Sequence, residues 1–213
     1  VKKDEEMKAL TLWPEWAWAI MHLGKDVENR TWHPPRNILG QRIALHAGRK
    51  VGRRYDPVVK GALPYYDFVV SMARDAGILP RFIRGKREGL NGEFIVGIQW
   101  YADRDIVING KVYHSNEVIK EMIFEEILLG AVFATARIEP CNVYRKSEGW
   151  IRSSWAAEGQ YTWKLNDLVI LKKPIFCQGK QALWTLSPEV EVKVRRQDEF
   201  YSGNRVSFCE KIG

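Results

Sequence analysis

The chain has 213 residues and carries 33 Lys and Arg against 26 Asp and Glu, a formal charge of +7 at pH 7. A chain of this length buries roughly 70% of the surface its unfolded form exposes, so it needs neither disulfides nor a structural metal to fold. Its 46% hydrophobic and 28% charged residues are ordinary globular values, which excludes a mainly disordered chain and a fibrous repeat, and no run approaches the roughly 18 apolar residues of a membrane-spanning helix.

Residues 1–7 read as an N-terminal extension. They have a basic start but no apolar core of the kind a secretory signal needs, so the expected setting is cytoplasmic. The first predicted element is a helix over 14–23. Pro14 suits its first position, Trp16, Ala17, Ile20 and Leu23 share one face, and Gly24 ends it. A short strand over 26–32 would point Asp26, Glu28, Arg30 and Trp32 to one side. A second strand, 41–47, alternates Ile43, Leu45 and Ala47 against Arg42, Ala44 and His46.

A basic loop follows, in which Arg49, Lys50, Arg53, Arg54 and Lys60 face only Asp56. The pattern then predicts a helix over 64–76 ending at Gly77, a basic run over 81–87, and a flexible stretch around Gly89 and Gly92. Next come a strand over 93–102 and a hairpin over 105–113 turned by Asn109-Gly110. Ser115 or Asn116 can cap a helix running to about Leu129. Strands return at 130–138, 161–171 and 181–186, and 187–213 reads as one more strand and a polar tail. The expected fold class is α+β, a small mixed β-barrel whose loops carry helices. With no linker, repeat or low-complexity tract, one domain over 8–186 with an insertion at about 65–128 is preferred to two domains.

Several chemistries drop out. Cys141, Cys177 and Cys209 are odd in number and widely spaced, against a disulfide framework or a zinc cluster and in keeping with a reducing compartment. No Gly-Lys pair is followed by Ser or Thr, and the dinucleotide fingerprint, the nucleophile elbow and His-Glu-x-x-His are all missing. Pro140-Cys141 lacks the second cysteine of a zinc deaminase. No metal or cofactor is expected. The composition does hold one anomaly, nine tryptophans together with a pI near 9.3. Rings for stacking and cations for phosphates are what single-stranded nucleic acid binding uses, although Trp is also a core residue.

The run Leu-Gly-Lys-Asp-Val-Glu-Asn-Arg-Thr-Trp over 23–32 places Lys25, Glu28 and Arg30 in the spacing K-x-x-E-x-R directly after an amphipathic helix. It resembles the G-x-K-x-x-E-x-R signature of the ASCH domain family, part of the PUA-like β-barrel superfamily that also holds the YTH and EVE domains. Leu23 stands at the signature's glycine, with Gly24 one place later. Glu158 to Leu165, then Pro174 and Gly179-Lys180-Gln181-Ala182-Leu183-Trp184, is similar to the closing strands of the longer bacterial and phage members. Ala182 takes a usual glycine's place. Leu12-Trp13-Pro14, Ala44-Leu45-His46-Ala47 and 130–138 add support, so the resemblance covers 8–62 and 129–186; the stretch 65–128 matches nothing in the family.

The resemblance implies a ligand cleft beside the first helix, with Lys25 at its mouth and Glu28 and Arg30 on the adjoining strand. Lys and Glu at this spacing can meet a phosphate and the exocyclic amine of a base. They can equally do acid and base work, for which the family supplies precedent in amidohydrolases of acylated cytidine and in ribonucleases. A third reading is that Glu28 and Arg30 simply pair and hold the barrel together.

Trp32 and Trp155 are the candidate stacking residues, with burial the alternative, whereas Tyr161, Trp163 and Leu165 on one face indicate core. Ser154, next to Ser153, offers a hydroxyl or is merely loop. His46 is a polar liner of the cleft or a satisfied structural histidine. Arg49, Lys50, Arg53 and Arg54 would steer a phosphate backbone. The expected partner is RNA or a single-stranded segment, with a modified or flipped base as a further candidate. The rivals are a hydrolase using Lys25 and Glu28 and a protein-interaction module built on the insertion. If the site serves a ligand alone, Lys25→Ala and Glu28→Ala leave stability nearly intact.

Overall fold

The computed structural model describes residues 6–49, 72–85, 94–108, 110–123, 128–139 and 153–209. Among them, eleven strands and two labelled helices form a sheet-dominated α+β fold: β1 (Lys8–Leu12), α1 (Pro14–His22), β2 (Val27–Arg30), β3 (Arg42–Ala47), β4 (Ile78–Gly85), β5 (Phe94–Ala102), β6 (Ile106–Ile108), β7 (Lys111–Tyr113), β8 (Val118–Ile123), β9 (Ala131–Glu139), β10 (Tyr161–Phe176), β11 (Leu183–Thr185) and α2 (Pro188–Cys209). No helix among the described residues is long and apolar enough to cross a membrane.

The main sheet has six strands in the order β11-β1-β3-β9-β10-β2, antiparallel except for β1 beside β3, and it curls into a half-barrel. Hydrogen bonding across the curl shows how far it goes. β1 and β2 lie at opposite ends of the strand order, yet the Arg30 Nη2 donates to the Thr11 carbonyl at 2.9 Å. β11 pairs with Lys8 to Leu10 and the Thr11 N–H donates to the Ala182 carbonyl, so this guanidinium takes the Thr11 carbonyl just past the β11 ladder and draws the two sides of the sheet together.

The alternation expected in β3 holds. Ile43, Leu45 and Ala47 join the inner core with Leu10, Phe133, Trp163 and Leu165, while Ala44 packs on the other face with Met7, Val132 and Leu171. Tyr161 packs against the inner core as well. A second sheet, β4-β5-β8, and the separate hairpin β6-β7 lie within the stretch 65–128. That stretch has its own apolar cluster, in which Met72, Ala73, Ile78, Trp100, Ile108 and Ile119 meet Trp18, Ala19 and Leu23.

α1 is therefore apolar on both sides. Ala17 and Ile20 pack into the main sheet, Trp18, Ala19 and Leu23 pack toward the smaller one, and Trp16 touches both clusters. Gly24 follows at φ +70°, a conformation that glycine enters without steric cost, and the Leu23 and Lys25 N–H groups both donate to the Ala19 carbonyl. This wrap turns Lys25 back under the helix.

Two expectations are overturned. The segment after Ser115-Asn116 is strand β8, antiparallel to β5, and not a helix. Asn116 stands at φ +65°, in a turn where the Glu117 N–H donates to the His114 carbonyl; an N-cap needs extended backbone, so no helix starts there. Val118, Ile119 and Ile123 are β-branched and suit the pleated sheet.

The second correction is α2, which replaces the strand expected after 187. Val190 to Val194 alternates like a strand, but Pro188 opens a helix with Glu189 and Glu191 in its first turn, and Val190, Val194 and Asp198 recur every fourth residue on the buried side. The end of a helix at 72–75 before Gly77 agrees with expectation. The rest of that helix, residues 1–5, Lys60, the stretch around Gly89 and Gly92, Asn109 and Cys141 lie outside the described residues. β4 takes up part of the basic run expected at 81–87.

Candidate functional site

β2 enters the site from the α1 wrap and pairs antiparallel with β10, with Glu28 opposite Trp163 and Arg30 opposite Tyr161. Directly opposed residues share a face, so Glu28 and Arg30 lie on the inner side of the curled sheet beside the buried ring of Trp163. Lys25 reaches the same place from below α1. It is 1% exposed, with its ammonium 5.2 Å from the Trp16 ring centroid.

The three charges form a chain. Lys25 Nζ lies 3.4 Å from Glu28 Oε2 and donates also to the Val27 carbonyl, and Arg30 Nε lies 3.1 Å from Glu28 Oε1. Glu28 is 5% exposed and so is shared, out of water, between two cations. Burial pushes the Lys25 ammonium below its ordinary pKa; Glu28 opposes that shift and Arg30 adds to it. Arg30 is the member that reaches solvent, its side chain 20% exposed, and it also closes the sheet onto Thr11.

The opposite side of β2 carries no charge. Val27 enters the smaller core together with Trp155, and Asn29 ties down the loop before β10. Its Nδ2 donates to the Trp155 carbonyl at 2.8 Å, and its Oδ1 accepts from the Ala157 N–H at 3.0 Å. Ser153 Oγ donates to Asp26 Oδ1 at 2.5 Å, so the strand is laced to this loop along its length. Beside the lacing is a cleft of about 160 Å³, bordered by Gly24, Asp26, Ser153 and Ser154 on one side and by Ile106 to Ile108 on the other.

The predicted residues separate accordingly. Lys25, Glu28 and Arg30 come together. Trp32 is half-buried, edge-on to Trp163 at 4.6 Å between ring centroids, and its carbonyl accepts from Trp163 Nε1 at 3.3 Å. Trp155 is 3% exposed with its ring in the smaller core, so its expectation as a stacking residue is overturned: Val27 and Trp18 are in the cluster that covers it. Ser154 is exposed on the rim of the small cleft.

His46 is buried and structural. Nε2 lies 3.3 Å from the Cys177 carbonyl and Nδ1 3.5 Å from Thr11 Oγ1, and its ring stands edge-on to Trp184. Burial pushes its pKa down. A Cβ on Gly179 would lie 2.2 Å from the His46 Cε1, so this glycine is required for the closing turn to cover the imidazole. Arg49 is exposed, with its side chain against Gly130, while Lys50, Arg53 and Arg54 lie outside the described residues.

Sequence reasoning missed Thr11 and Asn29. Thr11 accepts from Arg30 through its carbonyl and from Trp184 Nε1 at 3.0 Å through its hydroxyl. Asn29 could have been found from alternation, because an amide between Val27 and the loop side must satisfy both of its ends. Among the described residues no cluster of His, Cys, Asp and Glu is arranged to hold a metal ion. No protein-family model matches the chain, and no curated protein matches it either.

Proposed function

We propose that this protein binds RNA or another single-stranded nucleic acid at the seam where Arg30 closes the curled sheet, with the fold a PUA-like barrel of the ASCH type. The observation that carries the reading is the Lys25–Glu28–Arg30 chain: one shielded carboxylate between two cations, with only the guanidinium reaching water. Such a group favours an incoming anion, and Arg30 retains donors for a phosphate beyond those engaged by Glu28 and Thr11. Trp32 is the aromatic neighbour available to a base, while Glu28 holds the guanidinium in place from within. The curl of six strands around α1 supports the PUA-like reading, and the overall charge of +7 supports attraction to a phosphate backbone.

A hydrolase is the second reading, favoured by one feature. Lys25 is a buried amine with a lowered pKa beside a carboxylate, the pairing that acid–base chemistry at an amide or phosphodiester requires. In that case Glu28 takes the proton of an attacking water and Lys25 returns one to the leaving group.

Titrating the protein into a labelled single-stranded RNA by fluorescence anisotropy at two salt concentrations, then running the RNA on a gel, separates the two. Binding that weakens steeply with salt and leaves the RNA intact is the expected result. Cleaved RNA transfers the case to the hydrolase, and no binding at low salt overturns the leading proposal.

A further inference from the structure

A cavity of about 750 Å³ lies away from the seam, where β3, β9 and β10 meet the first turns of α2 and the start of β1. Arg42 and Arg137 are direct partners across β3 and β9. Like charges so placed repel unless carboxylates compensate them, and the one that stands between the two is Asp167. Asp167 Oδ2 lies 3.3 Å from Arg137 Nε and 3.9 Å from Arg42 Nη2. Asp167 occupies a bulge in β10 at φ +48°, a strained conformation for a residue with a Cβ, and its side chain is 61% exposed.

The arginines are held from behind. Arg42 Nη1 donates to Thr135 Oγ1 at 3.0 Å and lies 3.2 Å from Asp198 Oδ1, while Thr135 donates to the same carboxylate oxygen at 2.6 Å, all under cover of α2. Arg137 Nη1 donates to the Gly40 carbonyl at 3.0 Å. On the facing wall Glu191 grips Arg195 through Nε and Nη2 at 2.7 and 2.6 Å. Arg42 Nη1 donates also to the Asp167 carbonyl at 2.9 Å, so Arg42 Nη2 and Arg137 Nε are the nitrogens turned to the Asp167 carboxylate, two pre-positioned donors for an oxyanion.

The remaining lining is mixed: Glu6 and Lys8 are charged, and the Lys8 ammonium donates to Thr185 Oγ1 at 2.6 Å. Met7, Ile38, Ile43 and Val169 supply apolar surface, and the amides of Asn37 and Gln41 stand at the rim. An arginine pair, an apolar wall and side-chain amides match the three parts of a phosphorylated nucleoside: phosphate, ring body and base edge.

We infer that this cavity is a second ligand site, for a mononucleotide whose phosphate replaces the Asp167 carboxylate on the Arg42–Arg137 pair. Asp167 holds the pair in the unliganded protein and competes with the ligand for it. The inference does not rest on the seam binding RNA.

Calorimetric titration of the full chain with nucleoside 5′-monophosphates, with inorganic phosphate and with the unphosphorylated nucleosides tests it. A mononucleotide binds saturably and at least about tenfold more tightly than either part, the loss expected when one charge-assisted contact or the ring surface is removed. Arg137→Gln, at an exposed position, weakens mononucleotide binding by roughly the same factor. Asp167→Asn tightens it, because Asn keeps the bulge conformation but removes the competing charge.

No mononucleotide binding overturns the assignment. So does inorganic phosphate that binds as tightly as the mononucleotide, or Arg137→Gln without effect in a protein that melts like the parent. Weaker binding by Asp167→Asn would make Asp167 a ligand contact or a structural clip and overturn the competition.

Discussion

At the scale of single residues, burial decides more than charge does. Lys25 and Glu28 are both shielded, so the expectation that their replacement leaves stability intact gives way. Glu28→Gln leaves two cations facing a neutral amide, and losing one partner of a buried pair costs about 3–5 kcal/mol. Lys25→Met removes a charge along with its burial cost and leaves Glu28 its bond to Arg30, so it costs less; the Lys25→Met/Glu28→Gln double variant recovers part of the loss. Urea unfolding of the three variants measures the coupling, and an additive result would show that Lys25 and Glu28 do not act as a unit.

His22 makes a separate statement about pH. Its ring lies tilted against Trp18 at 4.8 Å between centroids, and burial, helped by the Lys120 charge, pushes its pKa down from 6.5 to about 4. Between those values the unfolded chain binds a proton that the native protein refuses, so stability falls as pH drops through the window and is fully restored above it. His22 is partly exposed, so the loss is smaller than the full shift implies. His22→Gln flattens that limb, read as the difference in urea midpoint between neutral pH and pH near 4 for the two proteins.

At the scale of elements, the turn at Asn116 carries the clearest test. Its φ of +65° is open to Asn and Gly but crowds a β-branched side chain. Asn116→Val therefore costs about 1–2 kcal/mol while Asn116→Gly is tolerated, both measured by thermal unfolding. The same turn explains which parts of the fold were legible. α1, β2, β3, β5, β9 and β10 were readable because each has a local signature: a proline start, a glycine stop, or alternation whose two faces end in different cores.

β8 and α2 were not readable, because Ser115-Asn116 looks like a cap and Val190 to Val194 looks like a strand until tertiary partners choose. Strand β5 selects β8 through its ladder, and the outer core selects α2 through Val194. The triad was legible for the opposite reason, since its spacing along β2 alone puts Glu28 and Arg30 on one face. Thr11 was hidden because its part depends on the curl of the whole sheet, and the burial of Trp155 was hidden because Asn29 draws its loop inward.

At the scale of the whole molecule, α1 decides how the parts depend on one another. A stretch with its own sheet and its own apolar cluster would ordinarily be a candidate for independent folding. Here that cluster takes Trp18 and Ala19 from α1 and Leu23 from its C-cap, and the main sheet takes Ala17 and Ile20 from the same nine-residue helix. A helix this short is not stable in water alone, so loosening it from one sheet also removes its support from the other. The two sheets should unfold together, in one urea transition that coincides for far-ultraviolet circular dichroism and for tryptophan fluorescence.

Trp100 reports the smaller sheet and Trp163 the main one, and both are fully buried. Single-tryptophan reporters at these two positions should give one midpoint. Ala19→Leu would force a larger side chain between the sheets and cost about 1–3 kcal/mol, lowering both midpoints equally. Two separated midpoints would make the 72–123 region a domain in its own right and α1 its docking helix, and Ala19→Leu would then shift the Trp100 transition alone.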